Sequence, residues 1–274
     1  VPSSDGSLET ARARGADVEI VYSARDAVQR AAEQPDQTIV FLGVGFETTA
    51  PTIAAALAEA EQRGVTNFRV LSGHKVMPPA MRALVDDTEV EVDGFLLPGH
   101  VAVVTGAEAF RFLAEDLGLP GAVVGFTPVD VLRGVLDMVG QRAAGRAEVK
   151  NLYRRAVPDG GNPVARQLLD RFFQAEDTAW RGLGTIPGSG LGFRREWEHR
   201  DAGLIDVELP EPREPSGCRC GEVLRGTIAP PECPLFATSC TPETAVGACM
   251  VSNEGACSAY YRHERWRQAG AAAP

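Results

Sequence analysis

The sequence has no long apolar run and no cluster of basic residues, and both absences narrow what the chain can be. No stretch approaches the roughly 18 consecutive apolar residues of a membrane-spanning helix. The amino end, VPSSDGSLET, lacks the basic and apolar regions of a signal peptide. The net charge of -10 and the sequence pI near 5.0 argue against nucleic acid or an anionic membrane as the main partner. We therefore expect a soluble, cytoplasmic protein that binds small molecules or other proteins.

Cysteine is absent from the long amino-terminal part, and all six cysteines lie between residues 218 and 257. A cytosolic chain rarely keeps a constitutive disulfide framework. The small cysteine-rich segment needs cross-links to be stable, which favours metal ligation. The paired C-x2-C motifs typical of zinc are missing, whereas wide spacings suit thiolates gathered around an iron–sulfur cluster. Six thiols are two more than one cluster needs. The remaining two could form a redox-active disulfide or be small buried residues.

Before the cysteines, short β-branched runs alternate with helical patterns from about Val18 to Gly145. The runs VEIVYS, TIVFLGV, FRVLSG, GFLLPG and AVVGF are continuously apolar, as in strands that helices cover on both faces. We predict an α/β fold with a doubly wound parallel sheet over residues 1–210, ending in a helix (NPVARQLLDRFF) and a Gly-rich loop between Trp180 and Phe193. A small loop-rich lobe is predicted over 211–274, with the boundary in the proline-rich joint at Glu211–Gly217.

Polar side chains follow three of the predicted strands: Glu47 in GFETT, His74 and Lys75 in SGHK, and His100 in PGH. The carboxyl ends of parallel strands meet at one edge, where ligands bind, so we expect these residues to line one cleft. A single histidine is more often structural than functional. The convergence of two histidines, a lysine and a glutamate nevertheless favours an acid–base or ligand-orienting cleft. Nucleotide binding is disfavoured, because Glu47 stands where a phosphate would sit and neither GKS nor GxGxxG occurs.

Several motifs together resemble those of the HypD family of NiFe-hydrogenase maturation proteins. They are GFETTAP (45–51), SGHKVMPPAM (72–81), LPGHV (97–101), RGLGTIPGSGL (181–191) and the cysteine-rich run CRCGEVLRG, PPECPLF, CTPE and GACMVSNEGACSAYY. The resemblance implies an accessory protein that builds the Fe(CN)2CO unit together with a HypC-type chaperone and a HypE-type cyanide donor. Such a protein is a redox-active assembly scaffold rather than a conventional turnover enzyme.

The resemblance also implies roles for individual residues. A 4Fe-4S cluster would be held by Cys218, Cys233, Cys240 and Cys257, whose spacing matches the family pattern. Cys220 and Cys249 would then be the family's redox pair near the cluster. Glu47, His74, Lys75 and His100 would line the cleft in which the iron unit is built, where lysine and histidine donate hydrogen bonds to cyanide and supply protons.

The sequence departs from the family pattern in its lack of two motifs, CGTHE and GPGCPVC. In the family, CGTHE carries the cysteine that holds the iron, and GPGCPVC carries a second redox dithiol. We therefore expect this chain to be either a fragment or a divergent form that cannot hold iron in the family's way. A smaller departure is Thr127 in GFTPVD, where an acidic residue is expected. Two rival functions are a thiol–disulfide oxidoreductase similar to ferredoxin-thioredoxin reductases and a non-catalytic module with a structural zinc.

Overall fold

The fold is described from a computed structural model that covers residues 2–3, 6–208 and 215–265. Its strands are β1 Pro2–Ser3, β2 Gly6–Ser7, β3 Ile39–Gly45, β4 Phe68–His74, β5 Phe95–Pro98, β6 Gly121–Val124, β7 Val149–Asn151, β8 Phe173–Trp180 and β9 Gly184–Phe193. Its helices are α1 Leu8–Ala13, α2 Ala24–Glu33, α3 Ala50–Gln62, α4 Met77–Asp86, α5 Gly99–Thr105, α6 Phe112–Glu115, α7 Pro128–Ala143, α8 Pro163–Phe172, α9 Cys220–Arg225, α10 Ala248–Val251 and α11 Ala256–His263. Short 3-10 helices cover Ala107–Phe110, Arg195–Arg200, Ala202–Leu204 and Pro230–Glu232.

The parallel α/β prediction is confirmed, and the parallel strands divide between two small sheets. In the first sheet, β3 pairs with β4 over their whole lengths. In the second, the strand order is β5-β6-β7, again parallel. Each sheet packs on its own apolar core, the first around Leu57, Phe68 and Phe172 and the second around Leu97 and Phe110.

Helix α2 shows why the periodic segments form helices. Ser23 caps it, because its hydroxyl accepts a hydrogen bond from Arg25 N while the Asp26 carboxylate accepts one from Ser23 N. Ala24, Ala27, Val28 and Ala31 recur at helical spacing and are buried. The cap fixes where the helix begins and the apolar stripe fixes which face turns inward.

The predicted strand Val18–Ser23 is wrong. This segment joins no sheet and runs into the capped start of α2. Ile20 is 69% exposed and Tyr22 is 99% exposed. A strand needs a neighbour for its backbone hydrogen bonds, and within the described ranges no strand pairs with this segment.

The predicted Gly-rich loop between Trp180 and Phe193 is also wrong, because β8 and β9 form an antiparallel hairpin there. Two of the glycines in β9, Gly190 and Gly192, allow close cross-strand packing. A Cβ at Gly190 would lie 3.0 Å from Thr178 Cβ, and one at Gly192 would overlap the Glu176 carboxylate. The glycine content of the motif therefore hid a strand.

The carboxyl-terminal segment 215–265 is a lobe of short helices and loops, as the sequence predicts. Its core contains four cysteines, Cys220, Cys240, Cys249 and Cys257, together with Val223 and Met250. Most of the predicted boundary at Glu211–Gly217 lies outside the described residues, so the boundary stays a prediction. Among the described residues, no helix combines the length and apolarity needed to cross a bilayer.

Candidate functional site

Glu47 lies just past the carboxyl end of β3 and is only 3% exposed. Its Oε1 accepts a hydrogen bond from Met77 N at 2.8 Å, where α4 begins. Its Oε2 is buried and has no hydrogen-bond partner among the described residues. Burial raises the pKa of Glu47, because a charged carboxylate is poorly solvated here. The side chain thus keeps a proton to higher pH than an ordinary glutamate and has one oxygen available to a ligand.

His74 ends β4 and is 2% exposed. Its Nδ1 lies 3.1 Å from Ser72 Oγ, and Ser72 Oγ donates its own hydrogen to Leu191 O at 2.6 Å. Ser72 can then only accept from His74, so we assign the proton of the neutral ring to Nδ1. The other nitrogen, Nε2, is a buried acceptor without a partner among the described residues. Burial lowers the pKa of His74 to about 4, so the ring is neutral at physiological pH.

Lys75 follows His74 and points to the β8–β9 hairpin. Its Nζ donates hydrogen bonds to Thr178 Oγ1 and, at 3.0 Å, to Ala179 O. Burial lowers the pKa of Lys75, and the negative charge of Glu176 partly offsets this effect. One of its three N–H donors has no acceptor within the described part of the chain.

His100 stands at the start of α5, beside the second sheet. It is exposed, and its ring packs against Phe126 with 4.2 Å between the ring centroids. The structure thus brings Glu47, His74 and Lys75 to the end of the first sheet and places His100 at the end of the second. The single cleft expected to contain all four stays a prediction.

The hairpin residues of this site were missed by the sequence analysis. Ser189 O accepts a hydrogen bond from Val76 N at 2.9 Å, and Trp180 Nε1 donates to Ser189 Oγ at 2.8 Å. The motif RGLGTIPGSGL was the signal available in the sequence. A motif alone does not show that its backbone contacts Val76, which lies more than a hundred residues earlier in the chain. Thr127 has a structural role, since its hydroxyl caps α7 by accepting from Asp130 N.

The six cysteines gather in one lobe, five of them buried and Cys218 partly exposed. Cys249 lies between two other thiols: its sulfur is 2.9 Å from Cys257 Sγ, and its backbone N donates to Cys220 Sγ at 3.3 Å. Cys240 Sγ accepts from Val246 N at 3.4 Å. The three thiols in contact come from three short helices, α9, α10 and α11, and not from loops as the sequence predicts.

The pKa values of the Cys220 and Cys249 thiols are raised, so both are weaker acids than an ordinary cysteine. The hydrogen bond with Cys249 and burial together raise the pKa of Cys220. A bond with Cys220 lowers the pKa of Cys249, but a bond with Cys257 and burial outweigh it and raise the value to about 12. Among the proposed cluster ligands, burial raises the pKa of Cys218. Metal binding there would have to release a proton, and the binding energy would then stabilise the lobe.

The four cysteines expected to hold a cluster all lie in the carboxyl-terminal lobe, three of them buried and Cys218 partly exposed. In the described residues, no group of three or more His, Cys, Asp or Glu side chains is arranged to hold one metal ion. In a 4Fe-4S cluster each thiolate binds a different iron, so the four sulfurs do not converge on one point. Soft sulfur ligands are the donors that such a cluster takes, and one of the four candidate ligands, Cys240, also accepts a backbone N–H bond.

Replacing Glu47 with Gln is expected to increase the free energy of unfolding at about pH 8. Because the pKa of Glu47 is raised in the folded protein, its stabilising contribution is complete below the unfolded pKa and is lost as pH rises through the folded pKa. Glutamine cannot ionise and keeps an oxygen for Met77 N, so the gain should be on the order of 1 kcal/mol, similar to the penalty of an unpaired buried polar group. Urea denaturation at about pH 8 and pH 4.5 measures it, with the exposed Glu196→Gln as control. An equal effect at both pH values would show that Glu47 is not destabilised by burial.

Comparison with known proteins shows similarity along nearly the whole chain. The model of a family named HypD, described as "Hydrogenase formation hypA family", matches residues 1–264. Hydrogenase maturation factor HypD of Escherichia coli K12 is 45% identical over 271 residues, which cover 97% of this chain and 72% of that protein. HypD of Rhodobacter capsulatus is 43% identical, covering 96% of this chain and 71% of that protein. A putative hydrogenase expression/formation protein of Methanocaldococcus jannaschii is 40% identical, covering 97% of this chain and 74% of that protein.

Proposed function

Because this chain belongs to the HypD family of hydrogenase maturation factors, we propose that it is a redox-active scaffold for assembly of the Fe(CN)2CO unit. The proposed partners are a small HypC-type chaperone and a HypE-type protein that supplies cyanide. The iron unit is cargo. The motif CGTHE, whose cysteine holds the iron in the family, is absent from this sequence, so the cleft residues would orient cyanide and CO but would not supply the thiolate that binds the iron. The net charge of -10 favours protein partners with basic or apolar surfaces over nucleic acid.

Cys218, Cys233, Cys240 and Cys257 would hold a 4Fe-4S cluster, which supplies one-electron transfer when bound. Cys220 and Cys249 would be the dithiol beside it. The contact between Cys249 N and Cys220 Sγ supports this pairing, since it keeps the two residues adjacent. The 2.9 Å distance between Cys249 Sγ and Cys257 Sγ supports a dithiol that lies next to a cluster ligand.

The cleft proposal depends most directly on two buried atoms, His74 Nε2 and Glu47 Oε2, which have no hydrogen-bond partner among the described residues. Folded proteins rarely leave buried polar atoms unsatisfied, so such atoms point to a bound ligand or water. The assigned tautomer also defines the roles. His74 Nε2 can accept a proton or hydrogen bond, whereas the unused N–H of Lys75 can donate to a cyanide nitrogen.

Metal analysis of the anaerobically purified chain tests the proposal. We expect about four irons per chain and a broad thiolate-to-iron absorption band. Stoichiometric zinc without iron, after anaerobic reconstitution with iron and sulfide, would instead support the structural zinc module. The measurement needs no partner protein, so it examines the cysteine assignment alone.

One observation favours a second candidate, a thiol–disulfide oxidoreductase. Cys249 contacts both Cys220 and Cys257, so a dithiol beside a cluster ligand is available for exchange with a protein disulfide. Transfer of electrons from a reduced ferredoxin to a thioredoxin-like disulfide, dependent on Cys220 and Cys249, would favour this candidate over the scaffold.

A further inference from the structure

The β8–β9 hairpin contacts the cleft along one of its sides. Lys75 Nζ is bonded to Thr178 and Ala179 in β8, and the Lys75 backbone forms a bridge with Gly190 in β9. Ser72 Oγ donates to Leu191 O, which in turn fixes the tautomer of His74. The position of the hairpin therefore sets the environment of both cleft residues.

The turn of the same hairpin contacts the cysteine lobe. Gly182 packs backbone to backbone against Gly221, the second residue of α9, whose first residue is Cys220. A Cβ at Gly221 would overlap the carbonyl oxygen of Gly182 and lie 3.0 Å from its carbonyl carbon. A Cβ at Gly182 would lie 2.8 Å from Gly221 N. Neither position has room for a side chain, so this contact requires glycine on both sides.

An ion-pair cluster lies at the same seam. Arg225, in the last turn of α9, lies 2.9 Å from Glu89 and 3.4 Å from Asp87, which follow α4. A cavity of about 150 Å³ lies between α4, the hairpin turn and Arg225. The lobe thus touches the α/β region both through the hairpin and through charges beside it.

We propose that Gly182 and Gly221 are positioning residues. Through the β8–β9 hairpin, they hold the Cys220 end of the cysteine lobe in a fixed position relative to Lys75. The chain of contacts is short. It runs from Lys75 to Thr178 and Ala179, along the hairpin to Gly182, and across to Gly221 and Cys220. The functional importance of this relative position rests on the proposed scaffold role, in which the redox thiols and the cleft take part in one reaction.

The lysine content of the chain makes the coupling measurable. Lys75 and Lys150 are the two lysines in the sequence, so amine acylation followed by mass spectrometry reports on each separately. Lys150 is bonded to Asp137 beside the second sheet and serves as an internal control. The pH profile of acylation gives the apparent pKa of Lys75, a property that a merely structural loss of stability in the lobe does not change.

Gly221→Ala is the test variant. Gly221 has no left-handed backbone, and alanine is favoured over glycine inside helices, so the clash with Gly182 is the adverse effect of the added methyl. We expect the hairpin turn to shift, the bonds of Lys75 to loosen and its pKa to rise toward the ordinary value of about 10.4, with Lys150 unchanged. Gly140→Ala, in α7 with nothing within 4 Å of the added Cβ, is the matched control and should leave both profiles as in the parent.

Arg225→Met is a second variant in case Gly221→Ala does not fold. It removes the ion pairs at the seam without a backbone clash and should shift the Lys75 profile in the same direction by a smaller amount. Unchanged Lys75 profiles in the folded variants, or an equal shift in Gly140→Ala, would overturn the coupling.

Iron content, measured on the same samples, separates the two proposals. A parent chain without iron contradicts the proposed cluster, while a shifted Lys75 in Gly221→Ala still supports the coupling. Iron in the parent together with an unchanged Lys75 profile in Gly221→Ala would support the cluster and contradict the coupling.

Discussion

Replacing Cys233 with Ser is expected to reduce the iron content from about four atoms per chain to nearly none and to destabilise the carboxyl-terminal lobe. The lobe has a small core in which cysteine is the commonest residue, so the proposed cluster would supply much of its folding energy. Serine is close to cysteine in size, but its hydroxyl is a poor ligand for iron in place of a soft thiolate. Cys240→Ser should have the same effect. Iron analysis and protease sensitivity of the lobe measure both consequences.

Cys220→Ser and Cys249→Ser are the matched controls, because these residues stand outside the proposed ligand set. They should keep the iron while removing the dithiol. Cys249 and Cys257 are the two cysteines whose roles could be exchanged, because their sulfurs are 2.9 Å apart. Iron that survives in Cys257→Ser but is lost in Cys249→Ser would reassign the fourth ligand to Cys249.

Helices were the most predictable part of the fold. The segments that became α2, α3, α7 and α8 carry apolar residues at helical spacing, and α2, α7 and α8 also begin at a capping side chain. These signals are local, so a sequence reveals them directly. Strands are less predictable because a strand exists only with its neighbour. Val18–Ser23 reads as a strand yet has no partner in the described structure. The glycine-rich β9 reads as a loop yet is paired with β8 over residues 184–186 and 190–193.

In the candidate site too, local features were predictable from the sequence and long-range contacts were not. The parallel-sheet argument correctly placed Glu47, His74 and Lys75 where strands end. It could not show that Ser72 donates to Leu191 O, because that contact joins residues 119 positions apart. The tautomer of His74 and the bonding of Lys75 therefore follow from tertiary structure alone. Likewise, the clustering of cysteines was visible in the sequence, whereas the central position of Cys249 was not.

Acidification is expected to destabilise the protein through His74, by about 2 kcal/mol between about pH 7.5 and pH 5. The pKa of His74 is about 4 in the folded protein because the ring is buried, against about 6.5 when unfolded. The unfolded chain therefore binds a proton that the folded chain excludes. His74 contributes its full stability above the unfolded pKa, and this contribution is lost as pH falls from 6.5 toward 4.

The difference between the parent and His74→Asn isolates this effect from other titrating groups. Asparagine can still donate to Ser72 but does not titrate, so the variant should be less stable at about pH 7.5 and lose less stability on acidification. Urea denaturation followed by tryptophan fluorescence measures the difference, and the exposed His263→Asn should parallel the parent. Parallel curves for parent and His74→Asn would mean that the ring is protonated in the folded state. A protonated Nε2 would be a donor, and the assignment of His74 as the acceptor in the cleft would have to be reversed.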